Sequence, residues 1–179
     1  RRLLWVQTVG TDIGLAVRAG ADAAVPGGPG TRTFAVGTLA PPRASGPNYA
    51  WLPDSRHLAY IKDFNGDENT QLFVLDSEAP DAKAWAVTPW PGVRSAFLAR
   101  GAPGSARFYF TSNRRDRAGM DLYEADAKTR TVREVARADA DGRVLAWLIG
   151  SDQQLAGRTR QLGRADGSDG AVELRKAAR

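Results

Sequence analysis

The chain has no cysteine, and it has one histidine and one methionine in 179 residues. Without thiols, disulfides and thiolate metal sites are excluded and the redox compartment stays open. A lone imidazole also leaves too few ligands for a transition-metal centre, so neither a metal nor a cofactor is expected. No run of about 18 apolar residues occurs, so no helical membrane span is expected. The pentapeptide Gly-x-Ser-x-Gly, which places a hydrolase serine on a strained strand-to-helix turn, is absent. Ser45, Ser105 and Ser168 do stand beside glycines, but in turn-like contexts.

A repeat is what the sequence does contain. Residues 48–52 (NYAWL) form a short apolar strand that stops at Pro53-Asp54-Ser55, where proline presets φ and the Asp and Ser side chains can bond nearby amides. Residues 57–62 (HLAYIK) then alternate Leu58, Tyr60 and Lys62 with His57, Ala59 and Ile61, the pattern of a strand buried on both sides. Residues 63–69 (DFNGDEN) close a hairpin through Asn65-Gly66. Residues 70–75 (TQLFVL) make a third strand, and 84–87 (AWAV) a short outer fourth.

The same order recurs downstream. Residues 95–98 (SAFL), 107–111 (RFYFT) and 121–125 (DLYEA) repeat it, with Ala50-Trp51 and Ala96-Phe97 46 residues apart and Leu72-Phe73 and Leu122-Tyr123 50 apart. A third copy runs through 143–148 (RVLAWL), 154–161 and 171–175. Upstream, residues 3–7, 13–18 and 31–36 supply strands for one more unit around a solvated PGGPG loop at 26–30. Four strands in about forty residues are one propeller blade. The expectation is an all-β fold, a partial β-propeller of about three to four blades, each a four-stranded antiparallel sheet. The blades fall at 1–47, 48–93, 94–142 and an incomplete 143–179. Propellers close with roughly four to eight blades, so the chain reads as a fragment of a longer polypeptide.

The net charge is +5 with a pI near 10.0, but the arginines are spread along the chain, and their one cluster, Asn113-Arg114-Arg115-Asp116-Arg117, is broken by an aspartate. An arginine-rich surface from a GC-rich genome is favoured over nucleic-acid binding. Within the cluster, Arg114 and Arg115 are the candidate contacts for a substrate carboxylate, since each offers a bidentate fork. The competing reading is a solvated loop. His57 opens a strand directly after a turn, which suits a structural residue better than a member of a catalytic triad. Asp63, Asn65 and Asp67 begin like a calcium loop, but Glu68 stands where glycine belongs and Val74 where a bidentate glutamate belongs, so a hairpin with solvated carboxylates is expected. Trp5, Trp51, Trp85, Trp90 and Trp147 read as core or blade-interface packing.

Residues 49–76, followed by 87–95 (VTPWPGVRS), 112–126 (SNRRDRAGMDLYEAD) and 144–161 (VLAWLIGSDQQLAGRTRQ), resemble the propeller of bacterial prolyl oligopeptidase family serine peptidases. The branch most similar includes acylaminoacyl-peptidases and dipeptidyl-peptidase-like enzymes. The ordered motifs cover residues 49–175, although a single W-x-P-D repeat would equally suit a TolB-type propeller. The resemblance implies an N-terminal propeller capping a C-terminal α/β-hydrolase domain that holds the whole Ser-Asp-His triad. This segment would then carry no catalytic residue and would screen peptides by size for the hydrolase domain in cis; the spread of its arginines gives the separate expectation that it binds no nucleic acid. Glu68, Glu78 and Glu124 do not form the paired acidic motif with which some members hold a peptide's amino terminus. Gly150-Ser151-Asp152 and Gly157 stand where relatives have a more regular polar and basic strand. The other expectation is a non-enzymatic TolB-like interaction scaffold. Compartment is left open, with bacterial cytoplasm favoured over periplasm.

Overall fold

Three turns, each with one residue in the left-handed region, punctuate the chain at equal intervals. Ser55 (φ 56°), Gly104 (φ 77°) and Gln153 (φ 60°) lie 49 residues apart. Each turn is closed by an equivalent backbone bond of 2.8 Å, from Leu52 to His57, Gly101 to Arg107 and Gly150 to Gln154. Asp54 and Asp152 accept the amide two residues ahead in the same Asx geometry, at 3.0 Å. The computed structural model describes residues 2–10, 12–20, 26–37, 48–64, 66–79, 83–139, 144–161 and 170–175.

Among these residues 14 strands and no helix are found, arranged as four antiparallel sheets that each meander in chain order. The first sheet holds β1 (Arg2–Val9), β2 (Asp12–Ala19) and β3 (Arg32–Ala35). The second holds β4 (Tyr49–Trp51), β5 (His57–Lys62), β6 (Gln71–Asp76) and β7 (Trp85–Ala86). The third holds β8 (Ser95–Arg100), β9 (Arg107–Ser112), β10 (Asp121–Asp126) and β11 (Thr131–Ala136). The fourth holds β12 (Val144–Ile149), β13 (Leu155–Gln161) and β14 (Gly170–Leu174). Four strands per sheet are thus found in the second and third sheets, while the first and fourth show three among the described residues. Strand β11 went unassigned in the sequence pattern. Of the expected Asn65-Gly66 reversal, Asn65 lies outside the described residues, and Gly66 has a φ of 72°.

Period-2 alternation dictates how the sheets stack. On β5, Leu58 and Tyr60 pack with Leu15 and Val17 of the first sheet, whereas Ala59 packs the other way with Phe108 and Phe110 of the third. Strand β6 splits likewise, Leu75 towards the first sheet and Leu72 and Val74 towards the third. On the third sheet, Phe110 and Tyr123 face the second sheet in a stacked pair 5.3 Å apart, and Tyr109 and Leu122 face Trp147 of the fourth. Each sheet is therefore laid face to face on the next in chain order. Burial pushes the Tyr60 phenol up to about 12, because ionisation would strand a charge between two sheets.

Polar bonds pin the stack. Arg32 donates to the Ser77 carbonyl between the first two sheets at 3.1 Å. Thr70 Oγ1 donates to the Ser95 carbonyl at 2.7 Å, and the Ser95 amide returns a bond to Thr70 at 2.8 Å. Trp147 Nε1 donates to the Met120 carbonyl, and the Tyr109 hydroxyl to the Gln153 carbonyl, each at 2.7 Å. Gly157 belongs to this architecture, since a Cβ there would lie 2.2 Å from the Glu173 carbonyl oxygen on β14.

Candidate binding cleft

The loop from β9 to β10 carries the arginine cluster, and its backbone is tied down at both ends. Asn113 donates its amide to the Arg94 carbonyl at 3.1 Å, and the Arg94 amide donates to Asn113 Oδ1 at 2.8 Å. Asp116 Oδ1 accepts the Ala118 amide at 3.0 Å, tightening the tip. Arg117 Nη1 donates to the Gly92 carbonyl.

The two candidate arginines are thereby given different work. Arg115 forks onto Asp121, Nε to Oδ2 at 2.8 Å and Nη2 to Oδ1 at 2.9 Å, and Nη2 also reaches the Ala138 carbonyl at 2.9 Å. Asp121 is fully buried and accepts the Ala138 amide at 2.7 Å as well. Arg115 thus neutralises a buried carboxylate that fixes the exit from β11, and its Nε and Nη2 donors are committed. Arg114 instead lays its guanidinium 4.2 Å from the Trp90 ring centroid and has no carboxylate partner among the described residues.

Both arginines line a cleft of about 600 Å³ on the rim between the second and third sheets. Its walls are β7 with the segment that follows it, including Trp85 and Trp90, and β10–β11, including Tyr123 and Val132. A second cavity of about 570 Å³ continues along the rim and shares Trp85 and Arg130 with the first. The volumes fall in the range of small-ligand sites.

His57 sits at the far end of that second cavity. Its Nδ1 lies 2.5 Å from Asp54 Oδ2, and both side chains are mostly buried in the β4–β5 turn. Burial alone would push the Asp54 carboxyl up. The amide and ring of His57 and the amide of Arg56 outweigh burial and hold it below the ordinary carboxylate range. Next to this pair, Arg56 forks onto Asp76 at 2.9 and 2.6 Å and holds that carboxyl low. The imidazole is thus tied to the β4–β5 turn through Asp54.

The DFNGDEN segment is the hairpin between β5 and β6. Asp67 is solvated and accepts the Asn69 amide and side chain. Asp63 differs from the solvated expectation, because its Oδ1 is occluded without a hydrogen-bond partner among the described residues. Among those residues, no group of three or more His, Asp or Glu is close enough to hold a metal.

Sheets that meander from inner to outer strand and stack face to face in chain order define a segment of a β-propeller. The match to one solved structure, TolB, agrees on the fold. TolB from Acinetobacter baumannii matches with a TM-score of 0.51 at 14% identity, covering 96% of this chain and 37% of TolB. A chain from a study of two prolyl endopeptidases matches with a TM-score of 0.47 at 13% identity, over 75% of this chain and 19% of that one. No protein-family profile and no curated protein matches the sequence.

Proposed function

We propose that this chain is a non-catalytic propeller segment that screens peptides for the serine-hydrolase domain of a parent oligopeptidase. The observation that carries the reading is the ordered set of four motifs over residues 49–175. The far face of the fourth sheet adds support for a larger ring. Val172 and Leu174 project from one face of β14 with 64% and 72% exposure, an apolar surface suited to a further sheet.

A second reading, a TolB-like interaction scaffold with no enzyme attached, draws on the 0.51 match that spans nearly the whole chain. Fold alone does not choose between the two. Under the first reading the full-length gene product hydrolyses short chromogenic peptides and leaves folded proteins intact, and residues 1–179 alone hydrolyse neither. Peptide turnover by the isolated chain would overturn the proposal.

A further inference from the structure

The rim cleft between the second and third sheets is lined by more cations than carboxylates. Its carboxylates are all engaged: Asp54 with His57, Asp76 with Arg56, and Glu134 with Arg137 at 2.7 Å. Lys83, Arg114, Lys128 and Arg130 also line it, and none of these four has a carboxylate partner among the described residues. Four cations without a carboxylate partner among the described residues, along one groove, set up a positive potential that draws in negative charge. Two of them are guanidinium groups, whose planar fork matches a carboxylate.

The floor of the groove adds a second, independent feature. Strand β7 is two residues long and pairs with β6 alone, Trp85 with Val74 and Ala86 with Phe73. Val87 donates to the Leu72 carbonyl at 2.9 Å. By the alternation of an antiparallel ladder, Trp85 therefore bonds inward, and the amide and carbonyl of Ala86 point away from β6 along the cleft wall. An outward donor and acceptor on an edge strand are a template for one more strand. Trp85 and Trp90 flank that edge, half-buried, and Val132 faces them from β11.

We propose that this cleft binds an extended acidic peptide, which pairs with the outer edge of β7 and places carboxylates on Arg114 and Arg130. Side chains two apart on a strand share a face, so such a peptide can direct carboxylates to one wall and apolar groups to Trp85 and Val132. A nucleic acid would satisfy the cations but could not use the strand edge. The site lies on the rim and is independent of whether a hydrolase domain accompanies the chain.

The test is fluorescence anisotropy with three labelled probes: an alternating Glu-Val dodecapeptide, the same peptide N-methylated at alternate amides, and a twelve-nucleotide oligothymidylate. The Glu-Val peptide binds, and the N-methylated peptide and the oligonucleotide bind at least about tenfold more weakly. The Arg114→Ala/Arg130→Ala variant, with an unchanged thermal midpoint, weakens the Glu-Val peptide by about tenfold or more, since each arginine contributes a charge-assisted hydrogen bond. Absence of Glu-Val binding, indifference to N-methylation, or tighter binding of the oligonucleotide would each overturn the proposal. The last result would reassign the groove to nucleic acid.

Discussion

Adjacent arginines of one loop show how little residue type alone decides. Arg114 and Arg115 are indistinguishable as candidate anion contacts in the sequence, yet one lies on the ring of half-buried Trp90 and the other forks onto a buried aspartate. The difference comes from strand phase: Asp121 begins β10 on the side from which Arg115 approaches, and phase needs a register that a loop does not supply. Arg115→Met is expected to lower the thermal midpoint, because it leaves the Asp121 carboxylate buried with only the Ala138 amide to satisfy it. Arg114→Met should lower the midpoint far less, because it removes a cation–π contact with Trp90 and strands no buried charge. Thermal melts of the two variants separate the roles.

The Arg56–Asp76 pair yields a pH dependence. Asp76 has a folded-state pKa below its ordinary value of 3.8, chiefly through the Arg56 hydrogen bonds. Its contribution to stability is therefore present above pH 3.8 and is lost as pH falls through the lower folded value. Arg56→Met should reduce the urea midpoint at pH 7, and the gap from the parent protein should narrow by pH 2.5. A gap that stays constant would contradict the assignment.

At the scale of strands and turns, much was readable. The two-sided burial of β5 followed from the alternation of HLAYIK, and the Pro53-Asp54-Ser55 turn from its residue types. Strand β11 was not readable. Its TVREVA leaves half of its side chains exposed and none buried on the outer edge of the sheet, and a register shift opposite Leu122 and Tyr123 breaks its phase. The cleft was equally hidden, because Trp85, Trp90, Val132 and Arg130 meet only when β7 approaches β11.

Two substitutions test the elements. Phe110 is fully buried against Tyr123 and Phe108, so Phe110→Ala should cost about 3–5 kcal/mol by denaturant unfolding. Gly157→Ala forces β13 and β14 apart at the Glu173 carbonyl, and a cost of roughly 1–3 kcal/mol is expected. The glycine that breaks the polar pattern of the last repeat is thus a point of close backbone approach, which a sequence pattern registers only as irregularity.

Across the whole molecule, the spacing of the repeats carried the fold, since equal spacing of three turns and like-for-like strands can be met only by repeated sheets. Function is not written at that scale. A stacked row of sheets serves peptidases and scaffolds alike, and the one histidine is held in a turn. The proposed role, screening peptides for a catalytic serine carried elsewhere in the same polypeptide, makes a direct chemical prediction. Fluorophosphonate labelling of the full-length gene product, followed by peptide mapping, tests it most directly. The predicted result is a single labelled serine outside residues 1–179, and a full-length product that takes up no label, or takes it up on a serine within those residues, would contradict it.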